Sequence, residues 1–396
     1  MTGILYLSYT GMLEPLGQSQ VLNYLERLAK GRTIHLVSFE AAENRADAAR
    51  QEALSQRIAA SGIAWHPLRY HKRPSAAATA YDIAQGILKG TRLARRHGLG
   101  IIHARSYVAS VMALAIKRMT GARFLFDMRG FWADERVDAG LWPHESWMFR
   151  IAKRFERRLL LGADAVISLT DAAKQEIATF PYLAGRIPPV TVIPTCADLD
   201  RFTPGDLPPR FTLGYVGTVG NWYDFGQSAR LFGYLRRQRA DAHMMVVNRG
   251  EHGAIRAALE SDGFTDADFT IRSADHAEVP GLIRRMSAGV LVARPAYSHV
   301  ARSPTKLAEF LGCGVPCLVS SAIGDTEEIV ASNRAGIVIR DFSNDSCSDA
   351  ISELLRLVAD PSTSARCVAT AQRRFALEAG VERYAAVYER LAVGRA

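Results

Sequence analysis

Along the first half of the chain, short apolar runs alternate with longer stretches in which apolar residues recur every three or four positions. The short runs are Ile4–Leu7, Ile34–Phe39, Ala64–Leu68, Ile101–His103, Phe124–Phe126, Ala165–Leu169 and Val190–Ile193. They lack a strict apolar/polar alternation, which marks strands buried on both faces of a parallel sheet. The longer stretches, Gln18–Lys30, Arg45–Ala60, Ala77–His97, Val108–Met119 and Trp147–Leu161, have helical periodicity. Segment 201–210 breaks the pattern with three prolines and a glycine and reads as a linker. Beyond it the alternation restarts, with strands expected at Phe211–Val216, His243–Val247, Phe269–Ile271, Gly289–Ala293, Pro316–Val319 and Gly336–Ile339. From Asp349 onward the pattern is helical. The pattern predicts an α/β chain of two doubly wound, Rossmann-like units followed by a helical tail.

Composition narrows the class. With 48% hydrophobic and 22% charged residues among 396, disordered and fibrous chains are excluded, and the length suits two or three domains. No apolar run approaches the ~20 residues of a membrane span. The stretch Met1–Leu7 carries no basic leader region and runs straight into a strand, so no secretory signal is expected. The five cysteines (Cys196, Cys313, Cys317, Cys347, Cys367) form no C-x-x-C pair, which argues for a reducing, cytoplasmic setting.

Charge is unevenly placed. The net +9 lies wholly in residues 1–205, which hold 27 bases and 18 acids, whereas residues 206–396 hold 22 of each. Such an imbalance speaks of an anionic partner: nucleic acid, anionic lipid or a phosphorylated substrate.

The turn after the first strand, Ser8–Gln20, has glycines only at Gly11 and Gly17. It is therefore no dinucleotide-binding G-x-G-x-x-G, and no Walker A sequence occurs in the chain. Gly17 and Gln18 at the expected helix start can face a ligand, or Gln18 and Ser19 can simply cap the helix.

The richest stretch is Arg302-Ser303-Pro304-Thr305-Lys306-Leu307-Ala308-Glu309-Phe310-Leu311-Gly312-Cys313-Gly314-Val315-Pro316. Ser303 is a good N-cap and Pro304 a favoured first helical residue. With Lys306 and Arg302 alongside, the helix start offers N–H groups and positive charge to a diphosphate. Glu309, four residues after Thr305, offers acceptors to a pair of ribose hydroxyls. A capped helix with surface charges would account for the Ser-Pro start but not for the bases crowding it.

This run, with Gly324-Asp325, resembles the donor-site signature of family-4 glycosyltransferases with the GT-B fold, in particular a bacterial polysaccharide-type subgroup. Similar stretches occur in family order at Glu14–Gln20, His103–Tyr107, Phe126–Glu135 and Tyr215–Thr218. The resemblance implies an acceptor-binding domain over residues 1–205 and a nucleotide-sugar-binding domain over 206–375. It implies that the two face a cleft, with a helix at 376–396 crossing back onto the first. It implies a retaining, metal-independent hexosyltransferase that moves a sugar from a UDP- or GDP-linked donor to an acceptor hydroxyl on a lipid-linked or polysaccharide precursor. No cofactor is expected. The two D-x-D pairs, Asp198/Asp200 and Asp266/Asp268, fall in the linker region and a surface-like turn.

Two positions depart from the family. Ala301 stands where a glutamate is common, and the turn Thr218–Phe225 after the second unit's first strand carries no base. Arg249 and Arg294, at strand ends, are the expected substitutes, with Thr218 and Asn248 also assigned to the donor. In the first domain His103 and Asp127 end strands and, with Arg129, are assigned to orientation of the reacting groups. Arg105, Ser106, Trp132 and Glu135 are assigned to the acceptor. His103 as a core histidine, and Asp127–Arg129 as an internal salt bridge, remain open readings.

Residues 69–96 hold seven bases against Asp82, and residues 150–158 a second cluster broken by Glu156. With interleaved Ile87, Leu88 and Leu93, such helices suit the inner face of an anionic membrane. A solvated helix face is the plainer alternative. Nucleic acid is not expected, since no recognised binding module accompanies the charge. The aromatics Phe131, Trp132, Trp142, Trp147 and Phe149 can line an acceptor or lipid pocket, or pack under a loop. A sugar-nucleotide 2-epimerase of the same fold is the alternative activity.

Overall fold

The computed structural model describes residues 2–73, 75–220 and 222–393. Met1, Asn221 of the second glycine turn, and the last three residues of the expected C-terminal helix lie outside it. Thirteen strands in the described residues form two all-parallel sheets. The first contains β1 (Gly3–Ser8), β2 (Ile34–Glu40), β3 (Ile63–Arg69), β4 (Leu99–Arg105), β5 (Arg123–Asp127), β6 (Ala165–Ser168) and β7 (Val190–Val192), in the order β3-β2-β1-β4-β5-β6-β7. The second contains β8 (Thr212–Val216), β9 (His243–Val247), β10 (Phe269–Arg272), β11 (Ala288–Leu291), β12 (Cys317–Ser320) and β13 (Gly336–Ile339), in the order β10-β9-β8-β11-β12-β13. The four strands at the two reversals of strand order, β1, β4, β8 and β11, are buried along their length, as apolar runs without alternation require. Pro67 is tolerated because β3 is an edge strand.

Chain contacts divide the molecule into Met1–Ile193 with Glu378–Ala396, and Pro194–Leu377. The first unit ends upstream of the proline-rich stretch, not at residue 205, because residues 194–202 already pack into the second. Phe202 and Ala197 belong to its core, and the Thr195 amide donates to Ser303 Oγ at 3.1 Å.

The helices that position functional groups are α1 (Ser75–His97), α2 (Ser106–Thr120), α3 (Trp132–Asp138), α4 (Trp147–Gly162), α5 (Thr305–Gly312) and α6 (Leu377–Val393). Gly121 and Gly314, both left-handed, close α2 and α5. Of the described helices none is long and apolar enough to cross a membrane. All five cysteines are free and buried.

Both sheets reverse strand order once, between β1 and β4 and between β8 and β11. The carboxyl ends of strands at such a reversal are where open α/β sheets bind ligands.

Candidate active site

In the second unit the reversal is occupied by the turn after β8 and the start of α5. Gly217 sits at φ +113°, a conformation that favours glycine. Asn248 and Glu251 hold this turn. Asn248 Nδ2 donates to the Gly217 carbonyl at 3.0 Å and to Glu251 Oε2 at 2.8 Å, while Glu251 Oε2 also accepts from the Val219 amide at 3.0 Å. Asn248 Oδ1 accepts from the Gly250 and Glu251 amides. With all four of these bonds made, Asn248 shapes the loop.

The next residues fold back on β11: Asp224 N donates to Val292 O, and Arg294 N to Trp222 O at 3.1 Å. This stacks two aromatics under two cations. Arg302 Cζ lies 3.8 Å from the Trp222 ring centroid, and Lys306 Nζ lies 3.6 Å from that of Tyr223 and 4.9 Å from that of Tyr215. Among the described residues Lys306 Nζ is buried with no hydrogen-bond partner, and a methyl group placed on Gly217 would come within 3.1 Å of it. The base missing from the glycine turn is thus supplied by α5.

Glu309, one turn on, is 8% exposed. Burial pushes the Glu309 carboxyl up and the Lys306 ammonium down, and each only partly relieves the other. Such perturbed groups at the end of a sheet's strands make this position a functional-site candidate.

The local capping differs from expectation. Thr305, not Pro304, opens α5; Pro304 occupies the cap position at φ −65°, ψ 118°. Ser303 stands one residue before the cap position, and its hydroxyl instead accepts from Thr195 N. Arg294 and Thr218 are exposed beside the site, and Arg249, also exposed, lies 3.7 Å from Asp275.

In the first unit the corresponding position holds a buried polar cluster. His103 on β4 and Asp127 on β5 are 1% and 2% exposed, with His103 Nε2 3.6 Å from Asp127 Oδ2. Tyr388 Oη lies 2.6 Å from His103 Nδ1, and Tyr384 Oη donates to Asp127 Oδ2 at 3.0 Å, both from α6. Arg129 reaches within 3.9 Å of Asp127 Oδ1. Arg129 and Arg105 both donate to Gln20 Oε1, at 3.0 and 2.7 Å. Burial alone would raise the Asp127 carboxyl, but Arg129, His103 and Arg105 hold it below its ordinary value; burial lowers His103. The cluster is an anionic Asp127 among cations with a neutral imidazole. Arg129 and Asp127 form an ion pair, while among the described residues His103 Nε2 and Asp127 Oδ1 are buried without a hydrogen-bond partner.

Ser106 (φ 68°), Arg129 (φ 61°) and Gly130 (φ 147°) all adopt positive φ just past β4 and β5. Strain of this kind, about 1–3 kcal/mol for each non-glycine residue, clusters at functional sites.

The sequence model for "Glycosyltransferase Family 4" matches residues 17–201, and that for "Glycosyl transferases group 1" matches residues 210–357. The chain belongs to the family-4/group 1 glycosyltransferases of the GT-B fold.

Solved structures agree on the fold. Sucrose-phosphate synthase (tll1590) from Thermosynechococcus elongatus superposes with a TM-score of 0.75 at 13% identity, covering 99% of this chain and 100% of the other. A glycosyltransferase from Rickettsia africae ESF-5 gives 0.73 at 13% identity, with 99% of each chain covered. Anabaena Alr3699/HepE in complex with UDP-glucose gives 0.68 at 15% identity, covering 98% and 100%. A comparison with curated protein sequences finds no match.

Other expected residues of the glycosyltransferase fall as follows. The helical segment begins at Pro15, so Gly17 and Gln18 lie inside it and neither caps it. Gly17 is fixed by packing, since a Cβ there would stand 2.1 Å from the Gly11 carbonyl oxygen. Gln20, within the π-helical turn Gln18–Leu22, is the residue that reaches the arginines. Trp132 packs 5.8 Å from Tyr107 and 5.2 Å from Trp142, and Glu135 lies beside Gly130. Sequence reasoning missed Gln20, Tyr215, Trp222, Tyr223, Tyr384 and Tyr388. The adjacent Trp222-Tyr223, and the i, i+4 tyrosines of the last helix, were the available signals.

Proposed function

We propose that this glycosyltransferase takes a sugar from a nucleotide diphosphate sugar and passes it, with retention, to an acceptor hydroxyl on a lipid-linked or polysaccharide precursor. One observation carries the donor half of this reading: the buried Lys306, without a hydrogen-bond partner, set against Gly217 at the start of α5 with Glu309 behind it. A diphosphate there would give the ammonium the anion it lacks, and the Glu309 carboxyl suits ribose hydroxyls. UDP-sugars are the first donors to try, since the Anabaena structures hold UDP and UDP-glucose.

In the reaction the bond from the anomeric carbon to the diphosphate breaks, and one to the acceptor oxygen forms on the same face. The acceptor's proton passes to the departing phosphate oxygen. The chain's part is electrostatic: Lys306, the helix start and the neighbouring Arg302 and Arg294 meet charge building on the leaving group. No resident metal is assigned. In the first unit the Asp127–Arg129–Gln20–Arg105 network fixes the ends of β4 and β5, where we place the acceptor, and His103 orients Asp127. The exposed bases on the helices of the first unit support a seat on an anionic membrane surface.

The test is a thermal-shift panel of UDP, GDP and their sugars. A shift of several degrees with one nucleotide, lost in Lys306→Ala and in Glu309→Ala, is expected. A flat response to the whole panel overturns the reading. NMR of the product's anomeric signal decides retention.

A further inference from the structure

On the first unit an apolar groove of about 310 Å³ runs between α1 and α4, over α2. Val111 lies on its floor, and Trp132, Trp142, Trp147, Ile151 and Phe155 form much of its lining. Three of these lie at i, i+4 and i+8 on α4 and are strongly exposed: Trp147 66%, Ile151 42% and Phe155 41%. A soluble surface rarely leaves such a continuous stripe open without a partner.

Charge identifies the partner. Helices α1, α2 and α4 hold eleven bases and two acids. Both acids are buried and engaged, Asp82 with His71 and Tyr9, Glu156 with Lys153, Tyr107 and Tyr182. The solvent side of α4 is left with apolar residues and Arg150, Arg154, Arg157 and Arg158. The groove's own aromatics carry cations: Arg136 Cζ lies 5.4 Å from the Trp132 ring centroid and Arg158 Cζ 5.9 Å from that of Phe155. One end reaches the carboxyl edge of the sheet, because Trp132 and Tyr107 follow directly on the strained ends of β5 and β4.

We propose that this groove binds one hydrocarbon chain of a phosphate-headed membrane lipid, its phosphate held at the carboxyl-edge end by Arg136, beside Trp132, and Arg150, in the first turn of α4. The inference rests on the transferase reading only in taking that lipid as the acceptor's anchor. Apolar lining suits the chain, bases suit the head, and the groove's end at β4 and β5 would deliver the head to the acceptor position.

The test is calorimetric titration of the full chain with farnesyl phosphate, farnesol and inorganic phosphate. Farnesyl phosphate should bind saturably and at least tenfold tighter than farnesol, with no heat from inorganic phosphate. Val111→Phe, which fills the floor, and the exposed Ile151→Glu should each weaken binding tenfold or more. Arg136→Glu/Arg150→Glu should bring farnesyl phosphate down to the level of farnesol. No saturable binding, equal binding of phosphate and alcohol, or indifference to both groove variants overturns the proposal. So does a stable dimer in sedimentation that Ile151→Glu dissociates, since the face would then belong to a second copy. A nucleotide thermal shift that persists without farnesyl phosphate binding sinks the groove alone. Farnesyl phosphate binding without any nucleotide shift sinks the transferase reading and leaves the groove standing.

Discussion

Tyr388 Oη on the last helix lies 2.6 Å from Nδ1 of His103 on β4, 285 residues away in sequence. Four residues earlier Tyr384 holds Asp127. Removing one partner from a buried polar pair costs about 1–3 kcal/mol, because the other is left desolvated and unpaired. Tyr388→Phe should therefore lower unfolding stability by that amount in urea titrations. A double-mutant cycle with His103→Phe should recover at least about 0.5 kcal/mol of coupling. Strict additivity would mean that the pair contributes nothing.

Nucleotide binding should take up protons. Burial depresses the Lys306 ammonium, and an arriving diphosphate would draw its affinity for a proton back up. Calorimetry near pH 7 in HEPES and in Tris should give binding heats that differ with buffer ionisation in the sense of uptake. Affinity should fall as the pH is raised from 7 to 9, where the free Lys306 is neutral. Lys306→Arg, charged throughout, should reduce both effects, leaving the part that comes from Glu309, whose carboxyl burial pushes up to about 7.

A second pH dependence belongs to folding. His35 on β2 and His66 on β3 stack with Nδ1 and Nε2 3.1 Å apart, and the His97 ring lies 4.2 Å from that of His35. Burial, helped by Lys89 and the neighbouring histidines, lowers His66 to about 4, and burial likewise lowers His35. Unfolded histidines titrate near 6.5, so the native state resists a proton that the unfolded chain accepts. Their contribution to stability is full above pH 6.5 and is lost as the pH falls toward 4. Urea midpoints should drop across that window, and His66→Phe should flatten the drop.

Strands were legible in the sequence because a buried parallel strand must be apolar throughout; His243–Val247 and Gly336–Ile339 fall where the pattern puts them. The doubly wound class of both units follows from the alternation of strands and helices, whereas the strand order is seen only in the structure. That Lys306 and Glu309 stand together was legible too, since they share one short helix. What could not be read is what distant residues do to each other. Ser303 looks like a cap, but the helix starts one residue later and the Ser303 hydroxyl accepts from the distant Thr195 amide. The glycine turn looks baseless, but Lys306 supplies its charge across the sheet end. His103 and Asp127 look open to ligand until Tyr384 and Tyr388 cover them. In each case the deciding contact joins residues that no spacing rule connects.

Gly17 and Gly217 make the same point as a pair of experiments. A methyl on Gly17 would stand 2.1 Å from a backbone oxygen, that of Gly11, which cannot move without shifting the turn. Gly17→Ala should therefore destabilise the protein by about 1–3 kcal/mol, the usual cost of overpacking. Donor affinity measured below the transition should stay close to wild type. A methyl on Gly217 would instead meet the flexible end of Lys306 at 3.1 Å, on a backbone at φ +113°. Gly217→Ala strains the turn and displaces the ammonium aimed at the diphosphate, so nucleotide affinity should fall at least tenfold. Isothermal titration of both variants with the nucleotide that shifts the wild type separates the two effects. Equal losses of affinity in both would show that Gly217 acts through stability alone.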